Sequence, residues 1–406
     1  MEPHELFHRA QLSWLGIFNL AIKLFIIVPP TLFVNLVHAI PQCVLRGLPV
    51  LPFIYCNLLR TLMNNFTPTE LQFIMPPSGS VYLLWLAAVV SRAILTHDNT
   101  DTELTNNKTA ASLSRLRPDI QPLSDGQSSI LWLGDPTTAT KFALVFHGGG
   151  YVLPLDVGHL NWCRNAYLSA GDEAGEDVAV AVLQYSLWPA ASYPTQLFQA
   201  AEALSAILDG GRVSPSDIVF GGDSCGGHIA AGLLAHLVHP LAGARKIELQ
   251  AGQRFAGAFF VSPWLSGVDD GPAFRENAYL DMVSPKVVRQ STFLTTSGLG
   301  GAHSYEAVQA LGWAMPGDVE DSTWWDGVDE VVSDVLVTVG RREVLREEIL
   351  AFEKRIRLRN PGMNVVLDVR PQAAHDFILL EGQLNRVGGA TSQMKCWYKS
   401  ILGRKS

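Results

Sequence analysis

Residues 217–228 read DIVFGGDSCGGH, and the fold is decided by how this stretch is read. DIVFGG (217–222) is a short apolar run of strand type, and residues 226–238 carry a helical pattern. Ser224 lies at the join, inside the G-x-S-x-G arrangement Gly222-Asp223-Ser224-Cys225-Gly226. A serine on a sharp strand-to-helix turn takes a strained backbone. Its neighbours two positions away come so close that only residues without bulk fit. Such a turn lifts the hydroxyl above the sheet and aims a helix N-terminus at it, where negative charge is stabilised. G-x-S-x-G alone is a modest signal; the strand before it, the helix after it and the extra Gly227 strengthen it.

Working outward, the same texture repeats. ILWLG (130–134), FALVF (142–146), VAVAVLQY (178–185), FAGAFFVS (255–262), DVLVTVG (334–340) and NVVLDVR (364–370) are apolar runs of the kind buried parallel strands show. Helical patterns at 195–208, 226–238, 342–358 and 389–401 alternate with them. This order predicts an α/β fold, a mostly parallel doubly wound sheet with helices on both faces. Ligands in such folds sit beyond the carboxyl ends of the strands.

Two more strand ends carry chemistry. His147-Gly148-Gly149-Gly150-Tyr151 directly follows FALVF. Consecutive glycines let backbone N–H groups face outward. With the N–H of Cys225 they can form an oxyanion hole, each donor worth about 3 kcal/mol in a transition state. A dinucleotide loop would need G-x-G-x-x-G leading straight into a helix, whereas Tyr151-Val152-Leu153-Pro154 follows here. His147 itself reads as a structural hydrogen-bonder. Of the eleven histidines, His375 follows the last strand and lies C-terminal to the serine, in the chain order serine, acid, histidine. His228, His236 and His239 read as packing or solvent-facing positions of the helix after Ser224. Glu343, three residues past the end of an apolar strand, is the candidate acid; Glu347 is a turn deeper, and Asp334 starts the strand at the wrong end.

Composition sets the class. The chain has 406 residues, a formal net charge of −8 and only 17% charged residues. Mean hydropathy is +0.17. The acidic balance and the lack of a basic stripe argue against a nucleic-acid surface, and the low charge points to lipid contact. Five scattered cysteines, without CxxC or zinc spacing, read as free and mostly buried thiols.

The greasiest segment is WLGIFNLAIKLFIIVPPTLFVNLVHAI (14–40), with Lys23 as its one formal charge. Trp14 to Val28 would reach about 22 Å as a helix, short of a hydrocarbon core of about 30 Å. The full stretch would reach about 40 Å, but Pro29-Pro30 is expected to kink it. A kinked anchor or monotopic insertion is the preferred reading; a hydrophobic cap over a greasy pocket and a cleaved signal peptide are the others. Sequons at Asn65 and Asn107 would suit a lumenal face. Residues 96–112 read as a polar linker. The expected division is an anchor, cap and linker region at 1–112 and a main domain at 113–406, with a cap insertion at 266–330. Trp324 and Trp325 within that insertion read equally well as core.

HGGG, GDSxGG, an acidic residue before VLREE and a late HDF together resemble the hormone-sensitive-lipase branch of the α/β-hydrolase superfamily, over about 120–380. STWWDGV (322–328) is also similar to this group, and the membrane-proximal N-terminus is more similar to its arylacetamide and steryl acetyl deacetylases, of fungal type. Cys225 departs from the usual alanine, and Glu343 stands where many relatives carry aspartate. The resemblance implies an α/β-hydrolase fold and a serine carboxylic-ester hydrolase with Ser224, His375 and Glu343 as nucleophile, base and orienting acid. Gly148, Gly149, Gly150 and Cys225 would supply the oxyanion hole. It also implies a short acyl group on a hydrophobic alcohol, no metal or cofactor, and a membrane seat at the endoplasmic reticulum. An acyltransferase with the same triad and a non-catalytic binder of hydrophobic ligands remain as alternatives. Plant hormone receptors of this branch lack the histidine, and His375 is present here.

Overall fold

Pro29 and Pro30 do not break the N-terminal helix. In the computed structural model, which describes residues 4–97, 115–296 and 312–404, helix α1 runs through both, from Trp14 to Leu45. A five-residue π turn, Lys23–Ile27, lies just ahead of them. There the Val28 N–H reaches back to Lys23 O, and the prolines fall in the first turn of the next stretch. A missing N–H costs least at that place. Helix α2 (Val50–Asn65) returns antiparallel along α1, and α3 (Pro68–Ile74) opens with a Thr67/Glu70 capping box. Asn65 donates its side-chain amide to Thr61 O, so this sequon is engaged in the helix end. The expected linker begins inside a helix, Ser78–His97, and its remainder from 98 on, the Asn107 sequon and part of 266–330 lie outside the described residues.

The sheet has eight strands in the order β1-β2-β4-β3-β5-β6-β7-β8. They are β1 (Ile120–Pro122), β2 (Ser129–Leu133), β3 (Lys141–Phe146), β4 (Val178–Gln184), β5 (Ile218–Asp223), β6 (Gly257–Val261), β7 (Asp334–Gly340) and β8 (Asn364–Arg370). From β4 to β8 every neighbouring pair is parallel. The run 130–134 is a correction: β2 is apolar and wholly buried but pairs antiparallel with β1 and β4. The segment between β2 and β3 is too short for a crossover helix, which needs about a dozen residues. β1, only three residues long and partly exposed, carried no recognisable signal.

Two apolar layers flank the sheet. One holds α4 (Cys225–Val238), which follows β5 and is buried along nearly its whole length. The other gathers Trp162, Tyr167 and Tyr398. Trp325 belongs to the first layer, packed edge-on against Phe352, while Trp324 lies tilted against His239 and edge-on to Trp313. Their place is core packing rather than a cap. Over the carboxyl end of the sheet lie α2 and α5 (Pro285–Thr296). They are tied by Arg60 to Val283 O at 2.7 Å and by Asn57 to Tyr279 O at 2.9 Å.

Candidate active site

Strand register delivers the site. Phe146 on β3 lies opposite Gly222 on β5, so the His147–Gly150 loop emerges beside Asp223 and Ser224. Gly340 on β7 lies opposite Arg370 on β8, so the loops bearing Glu343 and His375 leave the sheet together.

Ser224 sits at φ 51°, ψ −117°, a conformation L residues hold only when their surroundings impose it. Its N–H donates to Val261 O, and its carbonyl accepts from Trp264 N and His228 N. A Cβ on Gly226 would stand 2.0 Å from Phe146 O, and one on Gly222 2.2 Å from the same atom. These two glycines are a steric requirement of the turn.

His375 Nε2 lies 2.9 Å from Ser224 Oγ, and His375 Nδ1 lies 3.1 Å from Glu343 Oε2. The other Glu343 oxygen accepts from Gly340 N at 2.6 Å, which fixes the carboxylate against the end of β7. Hydroxyl, imidazole and carboxylate thus form a hydrogen-bonded line, and His375 and Glu343 are buried. Burial raises the Glu343 carboxyl above its ordinary range. Burial alone would lower His375, but the carboxylates of Asp376, Glu343 and Asp281 outweigh it and lift the imidazole to about 10. Asp376 Oδ2 is 3.5 Å from His375 Nε2, and burial drives the Asp376 carboxyl well above its ordinary value. These buried groups titrate as one unit.

The glycine loop is partly committed. Gly148 N donates to Asp223 Oδ1 at 3.0 Å, which removes it from the free donors expected for an oxyanion hole. Tyr151 N is taken by Cys225 Sγ at 3.3 Å. Gly149 and Gly150, at φ 112° and 62°, line the pocket with Cys225. Their N–H groups make no hydrogen bond among the described residues. Cys225 opens α4, where a first-turn N–H has no helical acceptor. His147 is buried, with Nδ1 donating to Gly148 O at 2.8 Å, and burial lowers it to about 3. His228 is buried between the Tyr151 hydroxyl and Ala314 O.

Three groups escaped the sequence reading. Asp223, inside the motif, braces the glycine loop and accepts from His159 Nε2 at 3.1 Å. Burial lowers the His159 imidazole, but Asp223 overrides this and lifts it to about 9. Asp281 accepts from Val344 N at 2.5 Å and Val283 N at 3.1 Å, clipping the cap to the segment that bears Glu343. Asp376 carried one signal, its place next to His375.

The pocket above Ser224 has a volume of ≈ 70 Å³ and is walled mainly by apolar side chains, among them Leu59 and Met63 of α2, Val287 and Val288 of α5, and Trp264. A family model described as alpha/beta hydrolase fold matches residues 143–379, more than half of the chain. The chain belongs to the α/β-hydrolase fold family. Among curated proteins this α/β-hydrolase is similar to an esterase of Acinetobacter venetianus. They are 24% identical over 218 residues, 54% of this chain and 62% of the relative. The match thus spans less than two thirds of that relative's length. Among solved structures it is similar in fold to carboxyl esterase 2 of the mycorrhizal fungus Tuber melanosporum (TM-score 0.54, 18% identity, 70% of this chain and 86% of that one). It is also similar to an esterase of the bacterial hormone-sensitive lipase family (TM-score 0.52, 22% identity, 79% of this chain and 99% of that one).

Proposed function

We propose that the chain is a serine carboxylic-ester hydrolase of the hormone-sensitive-lipase branch. The observation that carries this reading is the line from Ser224 Oγ through His375 to Glu343, beside the Gly149 and Gly150 N–H groups, which have no acceptor among the described residues. Ser224 attacks the ester carbonyl, and His375 Nε2 takes its proton and returns it to the leaving alcohol. Glu343 holds Nδ1–H, so that Nε2 is the basic nitrogen, and stabilises the imidazolium. Gly149, Gly150 and Cys225 donate to the oxyanion, each N–H worth about 3 kcal/mol. Water then attacks the acyl-enzyme with His375 again as base. The esterases among its relatives support the reaction class.

The substrate is a short acyl ester, acetyl in the first instance, of a hydrophobic alcohol of the sterol or natural-product kind. The small apolar pocket and the greasy N-terminal helices around it support that choice. A panel of p-nitrophenyl esters from C2 to C12 tests it, run beside Ser224→Ala. The expected result is an optimum at C2–C4 and no turnover in the variant. An optimum beyond C8 would reject the short acyl group, and full activity in Ser224→Ala would reject the mechanism.

A further inference from the structure

The outward face of α1 is the largest unexplained feature of the molecule. Trp14 is 89% exposed, Phe25 79%, Phe33 68% and Leu45 84%, with Phe18 and Val44 in the same state. The apolar face continues on both sides of the π turn, which resets the helix phase across the prolines. Lys23, the one charge on the helix before its end, is turned inward onto Glu70 at 2.6 Å. Exposed apolar side chains recur from Trp14 to Leu45 with no charged residue among them, and a contiguous exposed apolar surface of this kind marks an interaction site.

Length alone would permit a span. Thirty-two residues make a helix of about 48 Å, against about 30 Å of hydrocarbon. The inner face forbids it. That face is seated on the protein at intervals from Leu20 to Arg46. Leu20 and Val28 pack with Phe66, Leu71 and Val152. Asn35 donates to Thr61 Oγ1 at 3.0 Å, the His38 ring stacks on Tyr279 at 4.6 Å, and Arg46 reaches Glu276 O. A crossing helix would carry Glu70, Asn57, Arg60 and the 276–283 segment into hydrocarbon, where each polar group costs several kcal/mol.

The same contacts place the pocket. Phe66, Leu71 and Val152, on which α1 sits, also wall a small outer cavity together with Gln290. It shares Met63, Gly149, Gly150 and Ser291 with the pocket over Ser224. On α5, the helix that lines both cavities, Phe293 is 65% exposed.

We propose that α1 lies in the plane of a lipid interface, its outer face sunk about 5–10 Å into the acyl boundary, and that the cavity leading to Ser224 opens beside that lipid, so that a bilayer-dissolved ester enters without crossing water. The orientation stands on exposure and packing alone. The delivery of substrate rests on the ester-hydrolase reading.

The test uses the full chain with phosphatidylcholine vesicles. Spin labels are placed at Phe18→Cys, Phe33→Cys and Val44→Cys, one at a time, with exposed Cys396 changed to Ser; the other four cysteines are buried. In-plane docking predicts that the protein floats with vesicles and that all three labels report the same shallow depth. Depths that pass through the bilayer centre from one label to the next would mean a spanning helix and overturn the proposal. Failure to float, or a stable oligomer that covers the face and keeps vesicles off, would overturn it too. The double variant Phe25→Glu/Phe33→Glu is expected to lose flotation and to turn over a vesicle-dissolved ester at least tenfold more slowly. Its turnover of soluble p-nitrophenyl acetate should be unchanged, which also shows that it folds. If no ester is turned over by either protein, the ester-hydrolase reading fails while the depth measurement still decides the orientation.

Discussion

At the scale of single residues, His375 is held between competing charges. In the proposed mechanism it must be neutral to accept the Ser224 proton, and three buried carboxyl groups favour its protonated form. Activity should therefore rise with pH through the apparent pKa of the group. Replacing Asp376 by Asn removes one of those charges, which disfavours imidazolium. The acid limb of kcat/KM against pH is expected to move to lower pH, and an unmoved limb would show that Asp376 is already neutral in the wild type. Glu343→Gln should cost on the order of 10⁴-fold in kcat, by losing the acceptor that fixes the Nδ1–H tautomer. Gly226→Ala tests the turn itself. Its methyl would meet Phe146 O at 2.0 Å, and overpacking of this kind costs about 1–3 kcal/mol or more. A drop in the urea midpoint is the expected reading; an unchanged midpoint would show that the turn has slack.

Among elements, the strand ends were legible because each is an apolar run that stops at a chemically distinctive residue. Ser224, His375 and Glu343 could be named from such endings, and the register of β3 with β5 and of β7 with β8 explains why they meet. The antiparallel pairing of β2 was not legible, since a wholly buried strand looks the same in either direction. Gly148 was misplaced among the free donors because the fate of its N–H depends on the side chain of Asp223, 75 positions along the chain. The continuity of α1 through Pro29 and Pro30 was not legible either: a π turn places both prolines in the first turn of the next helical stretch, where no N–H is needed, and sequence does not display it. Asp281 also belongs at this scale. Asp281→Ala would leave two buried N–H groups, of Val344 and Val283, without an acceptor. It should cost about 1–3 kcal/mol for each group left unpaired, read as a lowered melting temperature. Loosening of the clip beside Glu343 should also lower kcat more than it changes KM. An effect on stability with kcat intact would show that the clip serves only the fold.

For the whole molecule, two surfaces divide the work. The carboxyl end of the sheet gathers the reactive groups under α2 and α5, and α1 presents a face with no charge to its surroundings. Low overall charge led the sequence reading to expect lipid contact, and the proposal that α1 lies flat could be argued only from what its inner face touches.

The most direct test of the account is labelling of the intact protein with a fluorophosphonate, followed by peptide mass spectrometry and a parallel ester assay. The account predicts one equivalent of adduct on Ser224, loss of turnover in proportion to labelling, and no adduct in His375→Ala. Full ester turnover in a protein whose Ser224 is quantitatively modified, or an adduct confined to another residue, would contradict it.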